Sequence, residues 1–159
     1  MLLIAALAAC SDDGGEQATP TTTIDSASVR TFTSQEVCEL LPAATVTAAT
    51  GLDVLATTAE STGPPACTYQ FEHLGELQAR VPTTGFDVAL ERASRDADGA
   101  EPVDLPGVGD EAAWVPGGEL SSHLVAFEDG HVVEIVSSLN QEQAAALALE
   151  LFRSIEASA

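Results

Sequence analysis

The 159-residue chain is long enough for one domain with a core of its own, and its 45% of apolar residues is ordinary for a globular protein. Asp and Glu number 25 against five Arg, with no Lys, which gives a formal net charge of −20. This excess excludes nucleic-acid binding, because that binding depends on cationic side chains, and it disfavours adhesion to anionic lipids. The acidity predicts a repulsive, solvated surface, with a cationic ligand or a basic partner as the alternative.

The start of the chain has the pattern of an export signal. Residues 1–9 are all apolar and Cys10 follows at once. The run is too short to span a bilayer, which takes about 20 residues, but it fits the apolar region of a secretory signal. The tetrapeptide Leu-Ala-Ala-Cys that ends at Cys10 resembles the bacterial lipobox, which implies diacylglycerol on the Cys10 sulfur and cleavage just before it. We therefore expect an extracytoplasmic domain that is anchored to the cell membrane through this lipid.

The rest of the N-terminal segment is read as a tether. Residues 10–31 are rich in Ser, Asp, Gly, Thr and Pro, and such a stretch buries too little apolar surface to offset the entropy of ordering it. Residues 32–159 then form the folded domain. No Lys or Arg precedes the apolar run, which is consistent with a given start that lies inside a longer signal. The alternative to a signal is an ordinary buried segment that ends in Cys.

Two short helices are predicted first. Residues 33–36, Thr-Ser-Gln-Glu, have the form of a capping box, and apolar residues at Val37, Leu40 and Leu41 follow at helical spacing. Pro42 is expected at the first position of the second helix, which Gly51 ends.

Strands and a third helix follow. Residues 52–57 are a candidate strand, and residues 67–72 and 76–81 alternate apolar and polar side chains around a three-residue connection, which predicts a hairpin. A helix is predicted from Phe86 to near Gly99, with Phe86, Leu90 and Ala93 on one stripe.

The last third is predicted to be a short strand around Trp114, a hairpin and a helix. Residues 120–127 and 131–137 flank Asp129-Gly130, a strong tight-turn signal. Asn140 is expected to cap a helix with a wide apolar face. Hairpins interrupted by helices predict an α+β fold: a single domain with an antiparallel sheet and its helices packed on one face.

Two cysteines remain once Cys10 is lipidated. Cys38 lies near the apolar positions of the first helix, and Cys67 shares a strand face with Tyr69, so both are expected to face the core. Disulfides persist outside the cytosol, and we expect a Cys38–Cys67 bridge. Two free buried thiols or a redox pair are the alternatives, although neither cysteine lies in a Cys-x-x-Cys pattern.

The order of several motifs resembles a known group of proteins. The motifs are Cys38-Glu39-Leu40-Leu41, Pro42, Gly51-Leu52, Cys67-Thr68-Tyr69 and Gly107-Val108-Gly109-Asp110-Glu111-Ala112. In order and spacing they are similar to a family of actinobacterial secreted lipoproteins of unknown function, over residues 32–155. The resemblance implies a lipid-anchored α+β domain with one disulfide between Cys38 and Cys67, and it implies no catalytic residues. Tyr69 stands where this family often has Trp.

Catalytic and metal motifs are weak. Histidines occur at positions 73, 123 and 131, and the last two flank one hairpin, but two histidines without a third ligand do not predict zinc. Ser122 and His123 are neighbours on a strand, so their side chains diverge. Asp96-Ala97-Asp98-Gly99 lacks a ligand position of a calcium loop, although weak calcium binding stays open for so acidic a surface. We expect no metal, no cofactor and no enzymatic activity.

The loop that begins at Gly107 is the candidate binding element. Gly107, Gly109 and Asp110 predict a tight loop with unusual backbone angles, and Asp110 is expected to bond local amides. A cleft beside this loop and Trp114, or the sheet itself, would bind a small ligand or an envelope protein. The sequence therefore predicts a monomeric, non-enzymatic binding or accessory lipoprotein. The alternatives are a sensor or regulatory partner of a membrane protein and an envelope enzyme with an unrecognised site.

Overall fold

The computed structural model describes residues 29–118 and 121–159, within which lie four helices and seven strands. The helices are α1 (Ser34–Leu40), α2 (Ala43–Thr50), α3 (Phe86–Asp96) and α4 (Gln141–Ala157). The strands are β1 (Val54–Ala59), β2 (Ala66–Phe71), β3 (Gly75–Arg80), β4 (Val103–Asp104), β5 (Glu111–Val115), β6 (Ser122–Glu128) and β7 (His131–Ser137). All seven strands form one antiparallel sheet in the order β1-β2-β3-β7-β6-β5-β4. The α+β class and the single sheet are confirmed.

The sheet consists of two antiparallel runs, β1–β3 and β4–β7, and each contains one hairpin that was predicted. Strands β2 and β3 pair across the turn at residues 72–74, and β6 and β7 pair across Asp129-Gly130. The hairpins join where β3 pairs with β7, so that Arg80 lies opposite Glu134. This junction places residues 54 positions apart in the chain side by side at the centre of the sheet.

The helix termini follow the local sequence closely. Thr33 and Glu36 form the predicted capping box of α1, and Asn140 and Gln143 form a second one at α4. Gly51 ends α2 with a left-handed backbone, as predicted. Pro42 is the N-cap of α2 and not its first helical residue, a shift of one position.

Most of the core lies between one face of the sheet and three helices. Helices α1, α2 and α4 cover this face, where every second residue of each long strand points inward. The largest buried side chains of the domain are the following: Tyr69, Leu41, Leu77, Leu124, Ile135, Leu147, Leu151, Glu134, Val37, Val46, Val115 and Val125. Tyr69 donates a hydrogen bond from its hydroxyl to the carbonyl of Leu41. Because aromatic residues are few, aliphatic side chains fill this layer.

Helix α3 lies on the opposite face, which corrects the prediction that all helices pack on one side. The central strands β6 and β7 are buried on both faces, with Val125 and Val132 pointing away from the main core beside the polar His123 and Glu134. Both faces therefore require cover. Helix α3 supplies it with Ala89 and Ala93, whose small side chains let the helix approach the sheet closely. Its predicted stripe residues Phe86 and Leu90 lie at the border of this contact, half-buried.

A disulfide joins Cys38 of α1 to Cys67 of β2, with an S–S distance of 2.05 Å. The predicted bridge is thus present, and it closes a loop over a sequence separation of 29. It fastens the first helix to the β1-β2-β3 half of the sheet, where Cys67 itself is fully buried.

The predicted signal segment, Cys10 and the tether up to residue 28 lie outside the described residues. Of the predicted tether, the structure describes residues 29–31. Arg30 there donates hydrogen bonds to the Ser158 carbonyl and to the carboxylate of Glu36, and its guanidinium lies 4.9 Å from the centre of the Phe32 ring. The chain therefore enters the domain beside the C-terminus of α4.

Candidate functional site

The glycine-rich loop at residues 105–110 is pinned to the turn of the β6–β7 hairpin. The Asp110 amide donates to the Phe127 carbonyl at 2.8 Å, and the Asp110 carboxylate accepts the Asp129 amide at 3.4 Å. Gly109 has a φ of +64°, and a Cβ there would lie 2.5 Å from the Phe127 carbonyl oxygen. Only glycine fits at position 109 without a shift of the strand, and the contacts of Asp110 reach a distant turn instead of the local amides predicted for it.

A groove of about 540 Å³ runs between this loop and α3. Its lining consists of Phe86, Leu90, Asp104, Leu105, Pro106, Gly109, Asp110, Glu111, Ala112 and Ala113. Two of the four residues predicted to line a ligand groove, Gly109 and Asp110, are therefore brought to it. Gly107 and Trp114 are not in the lining. Trp114 points to the opposite face of the sheet, which α1, α2 and α4 cover, and packs on the main core there.

The groove combines an apolar floor with an acidic rim. Phe86 and Leu90 of α3 and Leu105 of the loop contribute apolar lining, and the carboxylates come from Asp104, Asp110 and Glu111. None of the described residues that line the groove is basic. A neighbouring depression of about 320 Å³ shares Phe86 and Glu111 with it. This surface can hold an apolar body and attract positive charge.

A second constellation lies at the centre of the sheet, under α3. Glu134 of β7 is fully buried, and its Oε1 lies 2.9 Å from Nδ1 of His123 on β6. Its Oε2 accepts hydrogen bonds from Arg92 of α3 at 2.8 Å and from Arg80 of β3 at 3.2 Å. Three donors from three elements therefore converge on one buried carboxylate.

The charges of this cluster hold Glu134 ionised. Burial by itself would raise the pKa of the Glu134 carboxyl, but the hydrogen bond from His123 and the charges of Arg80 and Arg92 outweigh it, so that the pKa is lowered. Arg80 is held in turn by Gln78, whose side-chain oxygen accepts from Nε at 2.5 Å. The cluster is a structural tie between α3 and the sheet.

Sequence reasoning missed both the cluster and half of the groove. The available signal for Glu134 was a single carboxylate inside the apolar run of residues 132–136. For the groove, the available signal was the amphipathic pattern of α3. Its apolar residues Phe86 and Leu90 lie beside the buried Ala89 and Ala93 but are only half-buried against the sheet.

The two histidines of the β6–β7 hairpin do not face each other. His123 lies opposite Val136, whereas His131 lies opposite Glu128 at the turn end of the same hairpin. Nor is His123 a surface residue, since it is 3% exposed. Over residues 29–118 and 121–159, no three potential metal-ligating side chains come together.

Comparison with protein-family models gives no match to this chain, and comparison with curated proteins gives none either. Among the helices of the described residues, none has the length and the apolar character required to cross a membrane.

Proposed function

We propose that the chain is an extracytoplasmic lipoprotein domain, anchored through lipid on Cys10, that binds a small ligand or an envelope protein without catalysing a reaction. The observation that carries the proposal is that two of the three cysteines form a disulfide and the third follows an apolar N-terminal run. Cys38 and Cys67 are bonded to each other, a state that persists in oxidising compartments. Cys10 is left over, directly after nine apolar residues in a lipobox-like pattern. We include in this proposal that the chain is related to the actinobacterial secreted lipoproteins of unknown function that its motifs resemble.

The groove beside the loop at residues 105–110 supports a binding role. Its volume of about 540 Å³ lies within the range of small-molecule sites, and its apolar lining with a few polar groups is typical of them. The loop is fixed by Asp110 and Gly109, so the groove is formed without a ligand.

The central cluster is not placed to act on a substrate. A general acid or base needs a proton-accepting atom within reach of a substrate. Both oxygens of Glu134 are occupied by His123, Arg80 and Arg92, and the residue has no exposed surface. Its geometry serves to hold α3 in place, and α3 is one wall of the groove.

The groove lies at the end of the domain where the chain enters. A Cβ at Gly130, in the β6–β7 turn, would lie 3.2 Å from a methyl of Val29, and Asp110 contacts the same turn at Asp129. The segment by which the chain enters the domain and the loop that borders the groove therefore lie at the same turn.

The experiment is expression of the full chain in a bacterium, with two Arg placed before the apolar run to complete the export signal, followed by metabolic labelling with an alkyne fatty acid and mass spectrometry of the N-terminal peptide. We expect label and a membrane-bound protein that begins at a diacylglyceryl Cys10. The Cys10→Ser variant should carry no label, and denatured, unreduced protein should show no reactive thiol at Cys38 or Cys67. A full chain that stays in the cytosol, unlabelled and with residues 1–9 retained, would refute the proposal.

A further inference from the structure

We infer that the groove between α3 and the loop at residues 105–110 binds an amphiphilic organic cation, which is a molecule with an ammonium or guanidinium head and an apolar body. The inference deepens the proposed function, since it names the class of ligand for the same groove. It depends on the groove alone, and not on the lipid at Cys10.

Among the described residues, no basic side chain lines the groove to balance its carboxylates. Its rim carries Asp104, Asp110 and Glu111. The five arginines are the only Lys or Arg residues in the sequence. Each forms an ion pair with a carboxylate that does not line the groove. The ion pairs are Arg30–Glu36, Arg80–Glu134, Arg92–Glu134, Arg95–Glu91 and Arg153–Glu150. A ligand that brings positive charge to the groove therefore gains Coulomb energy that a neutral ligand does not.

The apolar part of the lining selects an organic cation over a metal ion. Phe86, Leu90, Leu105 and Pro106 offer no ligand atom, and no set of three metal-ligating side chains forms among the described residues. These same side chains gain free energy when an apolar body displaces water from them.

The test uses the chain from Ser11 onward, which lacks both Cys10 and the apolar residues 1–9 and leaves the groove untouched. Isothermal titration calorimetry would compare decyltrimethylammonium, decyl sulfate and decyl maltoside below their micelle concentrations, together with tetramethylammonium. We expect saturable, one-to-one binding of decyltrimethylammonium only. Decyl sulfate carries the wrong charge, decyl maltoside has no charge, and tetramethylammonium lacks the apolar body.

Two triple variants separate the groove from the general acidity of the surface. Removal of the rim charges by Asp104→Asn, Asp110→Asn and Glu111→Gln should weaken binding about tenfold, because exposed ion pairs each contribute modestly. The matched control removes three exposed carboxylates outside the groove lining, by Asp53→Asn, Glu72→Gln and Glu142→Gln, and should change binding less than about twofold.

Each contrary outcome overturns the inference in a recognisable way. Equal weakening by both triple variants would show attraction to the net charge and no site. Equal binding of decyl sulfate would show a purely apolar surface. Failure to bind decyltrimethylammonium would exclude this class of ligand and leave the lipid on Cys10 unaffected, whereas an unlabelled Cys10 together with groove binding would refute the proposed anchor alone.

Discussion

Replacement of Glu134 by Gln tests whether the buried cluster holds α3 on the sheet. Gln has nearly the same volume, so packing is kept, and what is lost is the negative charge between Arg80 and Arg92. Those two side chains are 19% and 27% exposed, whereas Glu134 is completely buried. The variant therefore leaves two guanidinium groups close together without their shared counter-charge.

The expected loss follows from the burial of these groups. Removing one partner of a fully buried ion pair costs about 3–5 kcal/mol. Arg80 and Arg92 keep part of their hydration, so we reduce the expected cost of Glu134→Gln to about 2–3 kcal/mol. For a domain of this size, that corresponds to a fall in melting temperature of roughly 10 °C. Glu91→Gln is the matched control, because Glu91 and Arg95 are 75% and 69% exposed, and its effect should stay within about 0.5 kcal/mol.

The pH dependence supplies the sharper assay. Since the pKa of Glu134 is lowered in the folded state, the carboxylate adds stability that is fully present above its ordinary pKa of 4.5 and is lost as the pH falls through the folded value. Urea unfolding at a series of pH values should show the difference between wild type and Glu134→Gln shrinking below about pH 4.5. A cost below about 1 kcal/mol at pH 7, or a difference that persists unchanged in acid, would refute the assignment of this cluster as an ionic tie.

Three further predictions concern local features, and each is checked by thermal and urea unfolding. Gly109→Ala should destabilise the domain by about 2 kcal/mol or more, because it adds a clash with the neighbouring strand to the cost of a left-handed backbone. The control Gly107→Ala has a left-handed backbone too but open space around its Cβ, and should cost only about 1 kcal/mol. Equal costs of the two substitutions would contradict this account. Reduction of the Cys38–Cys67 disulfide should cost about 3–4 kcal/mol on the chain-entropy model, and an unfolding curve insensitive to reductant would count against it. Tyr69→Phe should cost about 1–2 kcal/mol through the buried carbonyl left unpaired at the end of α1; no loss would mean that water replaces the hydroxyl.

The features that the sequence predicted are those decided within a few residues. A capping box needs only Thr33 and Glu36, and the β6–β7 turn needs only Asp129 and Gly130, whose positive φ values the tight turn requires. The Cys38–Cys67 pair was predictable for a different reason: if Cys10 carries a lipid, as proposed, only two cysteines remain to pair.

The features that could not be predicted from the sequence depend on pairings between distant segments of the chain. The pairing of β3 with β7 is what brings Arg80 to Glu134, and nothing near either residue signals the other. The face chosen by α3 depends on which side of β6 and β7 was left uncovered by α4. Because α3 also supplies Phe86 and Leu90 to the groove, the loop residues Gly109 and Asp110 could be anticipated and the opposite wall could not.

Glu128 should respond to pH in the opposite sense to Glu134. Partial burial, followed by the nearby charges of Asp129, Asp110 and Glu156, raises the pKa of the Glu128 carboxyl. A raised pKa means that the folded state is penalised while Glu128 is ionised, so that its penalty is present at neutral pH and disappears as the pH falls below its ordinary value of 4.5.

Glu128→Gln should therefore stabilise the domain at pH 7, by about 0.5 kcal/mol given that water screens these charges. The gain should shrink in high salt, because screening weakens the repulsion that the substitution removes, and it should vanish in acid. Unfolding curves of both proteins at low and high ionic strength measure this directly. A destabilised Glu128→Gln variant, or a gain that is insensitive to salt, would show that the carboxylates at this turn are stabilised by contacts other than those that raise the pKa of Glu128.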